Sequence, residues 1–143
     1  MRQTPDAIVF VLACIVVFAI IFLAYSTYMV KTDLEVHILN QTSSCYSGQK
    51  TGSEASWSNG SIAMESVFET PDPCYRVSSV KAVQQGNKIE VDINTVLGGA
   101  CIQCFGIKKA RYEITLPEMK NDIDIYVQVD SANRHYVWLP FLG

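Results

Sequence analysis

Val80-Lys81-Ala82-Val83-Gln84-Gln85-Gly86-Asn87-Lys88-Ile89-Glu90-Val91-Asp92-Ile93 is the stretch that decides the fold of this 143-residue chain. In its second half Ile89, Val91 and Ile93 alternate with Glu90 and Asp92. Successive side chains of a strand point to opposite faces, so the alternation gives one buried and one wetted face. Gly86-Asn87 breaks the apolar rhythm with turn residues, and the whole reads as a β-hairpin. Sheets with one wetted face are typically antiparallel.

The same rhythm recurs on both sides of the hairpin. Upstream, Leu34, Val36 and Ile38 alternate with Glu35 and His37, Ile62 and Met64 lead to Phe68, and Tyr75 and Val77 open the run into Val83. Downstream come Tyr112, Ile114 and Leu116, then Ile123, Ile125, Val127 and Val129 against Asp124, Tyr126 and Gln128. Turn signals part these runs at Ser58-Asn59-Gly60, Pro71-Asp72-Pro73, Gly98-Gly99, Pro117-Glu118 and Asn121-Asp122. No segment beyond Val30 carries a sustained helical stripe. About seven short strands in roughly 100 residues predict an all-β domain, a β-sandwich of immunoglobulin-like size. Cys45–Asn59, rich in Ser and Gly, reads as a loop held at Cys45. The tail Tyr136–Gly143 is apolar to its last residue. It reads as a final strand ended by Pro140 with Trp138 in the core, or as a segment that offers Trp138, Phe141 and Leu142 to a partner.

The other end of the chain is of a different kind. Ala7–Val30 reads AIVFVLACIVVFAIIFLAYSTYMV and carries no charge, whereas the chain as a whole has 11 Lys/Arg and 14 Asp/Glu. At 1.5 Å per residue a helix of this length spans roughly 36 Å, against a hydrocarbon core of about 30 Å. Tyr25 and Tyr28 suit the interfacial aromatic belt. A cleaved signal peptide has a shorter apolar core, so the expectation is an uncleaved signal anchor contacting the lipid bilayer through residues 7–30. Residues 1–6 are then cytoplasmic and residues 31–143 form the extracytoplasmic domain. Four distal cysteines, with glycosylation sequons at Asn40-Gln41-Thr42 and Asn59-Gly60-Ser61, favour an N-inside, C-outside, single-pass protein of the cell membrane.

Cys45, Cys74, Cys101 and Cys104 pair in three ways, and sequence alone does not choose among them. Side chains three apart on a strand face opposite ways, so Cys101 and Cys104 suit two long-range bridges better than a local ring. The favoured pairs are Cys74–Cys101 and Cys45–Cys104. Cys101-Ile102-Gln103-Cys104 as a redox centre lacks the helix that would stabilise a thiolate. Zinc wants two close-spaced knuckles where only one exists.

The segments Thr70-Pro71-Asp72-Pro73-Cys74-Tyr75-Arg76-Val77, Gly86-Asn87-Lys88-Ile89-Glu90-Val91, Cys101-Ile102-Gln103-Cys104-Phe105-Gly106 and Tyr112-Glu113-Ile114 share one layout. It resembles that of a family of small exported or membrane-anchored archaeal proteins. The resemblance runs over about Gly60–Val129 and leaves out the apolar helix and the tail. It implies an anchored extracytoplasmic β-domain and carries over no catalytic residues. Some bacterial exported domains look similar but have only one cysteine pair, at positions matching Cys74 and Cys101, which implies a Cys74–Cys101 bridge.

A net charge of −3 with no basic cluster argues against nucleic acid, whose binding needs Lys/Arg against phosphates. Lys108-Lys109-Ala110-Arg111 is the one local basic run and is short for a lipid-recognition cluster. No serine sits in a G-x-S-x-G frame, and no phosphate loop, dinucleotide turn, zinc helix or calcium loop is present. His37 and His135 read as surface residues. Glu90/Asp92 and Asp122/Asp124 read as charged outer faces of strands rather than calcium sites. The expectation is a binding or structural subunit of an envelope or membrane complex, with other membrane or envelope proteins as partners, oligomerisation left open, and no catalysis, cofactor or metal. The alternatives are a component of a pilus- or archaellum-type filament or its stator, and a C-x-x-C thiol oxidoreductase.

Overall fold

The computed structural model describes residues 5–28, 30–100, 104–117 and 122–141. It divides into two compact units, Met1–Lys31 and Thr32–Gly143. The first contains the helix α1, Pro5–Tyr28. Proline suits the first helical position, where its missing N–H costs no hydrogen bond. Large apolar side chains from Ile8 to Tyr25 are exposed around the whole circumference. Such a helix has no core-facing stripe, and Ile8–Ser26 is long and apolar enough to cross a membrane. The Ser26 hydroxyl donates to the Leu23 carbonyl at 2.9 Å, which satisfies this polar side chain within its own helix.

The second unit consists of β1 (Thr32–Cys45), β2 (Gly52–Ser58), β3 (Ser61–Thr70), β4 (Tyr75–Gln85), β5 (Lys88–Leu97), β6 (Gly106–Thr115), β7 (Ile123–Val129) and β8 (Asn133–Leu139). They form one sheet in the order β2-β3-β6-β1-β4-β5-β7-β8. The alternation read from the sequence is what the burial shows. Ile89, Val91 and Ile93 are wholly buried, as are Ile62, Tyr112, Ile114, Ile125 and Val127. Side chains of β3 and β6 join those of β5 and β7 in one apolar cluster, so the sheet curls around a single shared core.

Gly86 (φ 60°) and Asn87 turn β4 into β5, as the hairpin reading anticipates. Two features depart from the sequence reading. Cys45–Asn59 is not a loop throughout: Gly52–Ser58 is strand β2, paired along its length with β3 through Ser58↔Ser61. Its Ser and Gly content suits an edge strand whose alternate residues Ala55 and Trp57 pack on the core. The second departure is that β5 and β7 are parallel. A parallel pair needs a crossover, and the chain makes it by leaving β5, forming β6 between β3 and β1, and returning as β7.

Strand β1 connects the two halves. Thr32–Leu34 pair with β4, and Glu35–Cys45 pair with β6 across a bulge at Leu39. Beyond Leu34 the two strands part, and the Gln41 side-chain amide spans the gap. Its Oε1 accepts from Val77 N–H at 2.8 Å, and its Nε2 donates to the Val77 carbonyl at 3.5 Å. At the far end of β1, Cys45 is bonded to Cys104, with Cα atoms 5.8 Å apart. Gly106 lies beside them, level with Cys45 on β1 and Thr70 on β3. A Cβ there would come within 2.5 Å of the Asp72 backbone, so the close approach requires glycine.

Candidate functional site

The sheet order and register place three outward rows side by side on one face, from β5, β7 and β8. Between β7 and β8, Asp124 faces Trp138, Tyr126 faces Tyr136, and Gln128 faces Arg134. Between β5 and β7, Lys88 faces Asp124, Glu90 faces Tyr126, and Asp92 faces Gln128. The residues between them (Ile89, Val91, Ile125, Val127 and Leu139) point into the core, so this whole set points out. Tyr126 is 38% exposed, Tyr136 56% and Trp138 56%. Three neighbouring rings on a wetted face leave a large apolar area in water.

The rings are held in place by polar neighbours. Tyr136 and Tyr126 lie 5.2 Å apart between centroids, tilted by 48°. The Tyr136 hydroxyl donates to Asp124 Oδ1 at 2.7 Å, and the adjacent carboxylate holds this phenol above its usual range. Asn87 Nδ2 reaches the other oxygen of Asp124 at 3.4 Å. Lys88 Nζ stands 4.6 Å from the centre of the Tyr126 ring, over its face, and pairs with Glu90 at 2.7 Å. Arg134 Nε donates to Gln128 Oε1 at 3.1 Å. Beside Tyr126 a groove of about 420 Å³ runs over β5 and β7, lined mostly by polar side chains including Lys81, Glu90, Asp92 and Arg134.

The structure treats the tail residues differently from one another. Trp138 is not in the core. Alternation sends its neighbour Leu139 inward, 6% exposed, and leaves the indole on the outer face. Phe141 turns back and meets Trp57 edge-on at 6.0 Å, while its N–H donates to Asp122 Oδ1 at 2.8 Å. Leu142 lies outside the described residues. Trp57 Nε1 also donates to the Pro140 carbonyl at 2.7 Å, so the tail fastens β8 to β2. Tyr126 and Tyr136 went unremarked as site residues in the sequence, although Tyr136 and Trp138 stand two apart on a strand and so share a face.

Among the cysteines, Cys45–Cys104 is a disulfide, and Cys14 in the helix is a free thiol. Cys74 is disulfide-bonded, and its Sγ lies 3.4 Å from the Ala100 carbonyl oxygen. Cys101, its expected partner, lies outside the described residues. Asn40 is exposed on β1, and Asn59 is exposed at the tip of the β2–β3 hairpin with φ 40°.

The basic run is split by strand alternation. Lys109 and Arg111 face out and both bind Glu65 at 2.5 Å, which lowers the pKa of that carboxyl. Lys108 faces in, 3% exposed, bonded to the Ser43 hydroxyl, and burial pushes its ammonium down. His37 pairs with exposed Glu35 at 3.1 Å. His135 Nδ1 is 3.4 Å from Ser53 Oγ, which continues to Ser66 Oγ at 2.9 Å and to the buried Tyr112 hydroxyl at 3.0 Å. Among the described residues no group of three His, Cys, Asp or Glu side chains could hold a metal ion. Comparison with known proteins returns no matching family model, no matching curated protein and no matching solved structure.

Proposed function

We propose that this chain is a single-pass, membrane-anchored subunit of an envelope or membrane assembly that works by binding rather than by catalysis. In this reading α1 crosses the bilayer with the N-terminus inside. The strands form an extracytoplasmic β-sandwich whose layers are β2-β3-β6-β1 and β4-β5-β7-β8. The observation that carries the proposal is the pairing of two features on one chain. One is a helix apolar on every side and of spanning length. The other is a disulfide-linked β-domain with an exposed aromatic face. Disulfides persist in oxidising compartments, which supports the outward placement. The aromatic face supplies a contact surface through Trp138, Tyr136 and Tyr126.

Gentle detergent extraction from native membranes followed by size-exclusion chromatography tests the reading. The expected result is elution well above the mass of one micelle-bound chain, with co-purifying envelope proteins. A clean monomer, or a chain recovered without detergent from the soluble fraction, overturns it. Orientation is read separately by the access of a membrane-impermeant protease to the β-domain in intact cells.

A further inference from the structure

We propose that the outward face of β5, β7 and β8 binds a neutral oligosaccharide, with Trp138 and Tyr136 as its stacking platform. The proposal deepens the reading of the domain as an extracytoplasmic binding module by naming what its aromatic face takes.

The occupant must cover apolar rings and satisfy polar groups at once. Trp138 and Tyr136 are each more than half exposed and stand two residues apart on β8, about 7 Å along the strand. Around them and along the adjoining groove stand three cations, Lys81, Lys88 and Arg134, and three anions, Glu90, Asp92 and Asp124. These charges cancel, so nothing here selects a nucleic-acid backbone or an anionic lipid surface, both of which need excess positive charge. An extended polypeptide is disfavoured for another reason. β5 and β7 each have a paired strand on both sides, and the open ladder groups of the end strand β8 lie in the plane of the sheet, so a polypeptide added there would extend the sheet instead of covering this face.

A pyranose ring fits what remains. Its C–H face is apolar and stacks on an aromatic ring, while its hydroxyls are both donors and acceptors. Asp92 offers acceptors, and the Arg134 guanidinium, whose Nε donates to Gln128, carries further N–H donors. The platform is also set before the ligand arrives, because Asp124 fixes the Tyr136 hydroxyl at 2.7 Å. A pre-positioned ring loses less freedom on binding. Tyr126 is assigned no stacking role, since Lys88 already stands over its ring.

The test uses the full chain in lipid nanodiscs, because glycoside detergents would compete. Binding to an array of neutral, sialylated and sulfated glycans is followed by calorimetric titration with the retained neutral glycan. The expected result is retention of neutral glycans, with Trp138→Ala and Tyr136→Ala each weakening the titrated affinity at least tenfold. His37→Ala, at an exposed position on β1, is expected to stay within twofold. Far-UV circular dichroism checks that each variant keeps the wild-type fold; exposed positions are chosen for that reason. Retention of no glycan, retention of acidic glycans alone, or binding unchanged in both Trp138→Ala and Tyr136→Ala overturns the proposal. Because the titration uses the isolated chain, its failure leaves the anchored-subunit reading to the sizing experiment, and the reverse holds.

Discussion

Tyr112 and Ser66 show how much a single polar atom decides in this core. Both are wholly buried, and their hydroxyls lie 3.0 Å apart, with Ser53 Oγ a further 2.9 Å beyond Ser66. The two truncations are not equivalent. Tyr112→Phe removes one hydroxyl and leaves Ser66 its bond to Ser53. Ser66→Ala leaves the Tyr112 hydroxyl in the core without this partner. A net hydrogen bond is worth about 1 kcal/mol, whereas a buried group left unsatisfied costs about 1–3 kcal/mol. Ser66→Ala is therefore expected to be the more destabilising of the two in urea unfolding. Burial also pushes the Tyr112 phenol above its ordinary value of 10.0. The native state keeps a proton that the unfolded chain gives up. This contribution is complete below about pH 10 and falls away as pH rises past it. Tyr112→Phe is expected to flatten that alkaline decline, as measured by unfolding free energy between about pH 8 and 11. The sequence marked Tyr112 as apolar by its place in the alternation. It gave no sign of Ser66, because a serine amid Ile62, Met64 and Phe68 looks like an interruption until its hydroxyl partner on another strand is known.

At the scale of elements, β1 has the most uneven support. Its first three residues pair with β4, whereas Glu35–Cys45 have β6 on one side and, at Val77, the Gln41 side chain in place of a strand ladder on the other. Its C-terminal end is held by the Cys45–Cys104 bond, which spans a sequence separation of 59. The chain-entropy estimate for a loop of that size is about 4 kcal/mol. Replacing both cysteines by alanine is expected to lower unfolding free energy by about 2–4 kcal/mol. Hydrogen exchange is expected to speed up first at residues 40–45, with the amides around Ile62 and Ile114 still protected. Equal loss of protection across the sheet would show that the bridge supports the whole domain instead. The alternation of β1 was legible in Leu34, Val36 and Ile38. The switch of partner was not, since it depends on the bulge at Leu39 and on which strands lie alongside.

For the whole β-domain, the two end strands of the sheet order, β2 and β8, are joined by side chains rather than by a backbone ladder. Trp57 donates to the Pro140 carbonyl at 2.7 Å and meets Phe141 edge-on, while Ser53 faces His135 at 3.4 Å. Trp57→Phe keeps most of the ring packing and removes the donor. Its expected cost is about 1 kcal/mol, with faster hydrogen exchange on both β2 and β8 and little change on β5. Faster exchange on β2 alone would show that the junction does not couple the two edges. The aromatic platform depends on this arrangement too, because the tail that carries Trp138 is the strand fastened there.

The sequence by itself determined the two kinds of segment in this protein. Twenty-four uncharged residues can only be helical in lipid, and period-two alternation can only bury one face of a strand. Both signals are local and need no knowledge of neighbours. Tertiary structure alone decided which strands lie side by side, and hence the parallel β5–β7 pair, the β2 edge and the inward turn of Lys108. It also decided the candidate site. Tyr126, Tyr136, Trp138 and the charges around them come from four strands, β4, β5, β7 and β8, and the whole of β6 separates β5 from β7 in the chain. Their meeting on one face follows from register, which a sequence of alternating residues leaves free until the core closes.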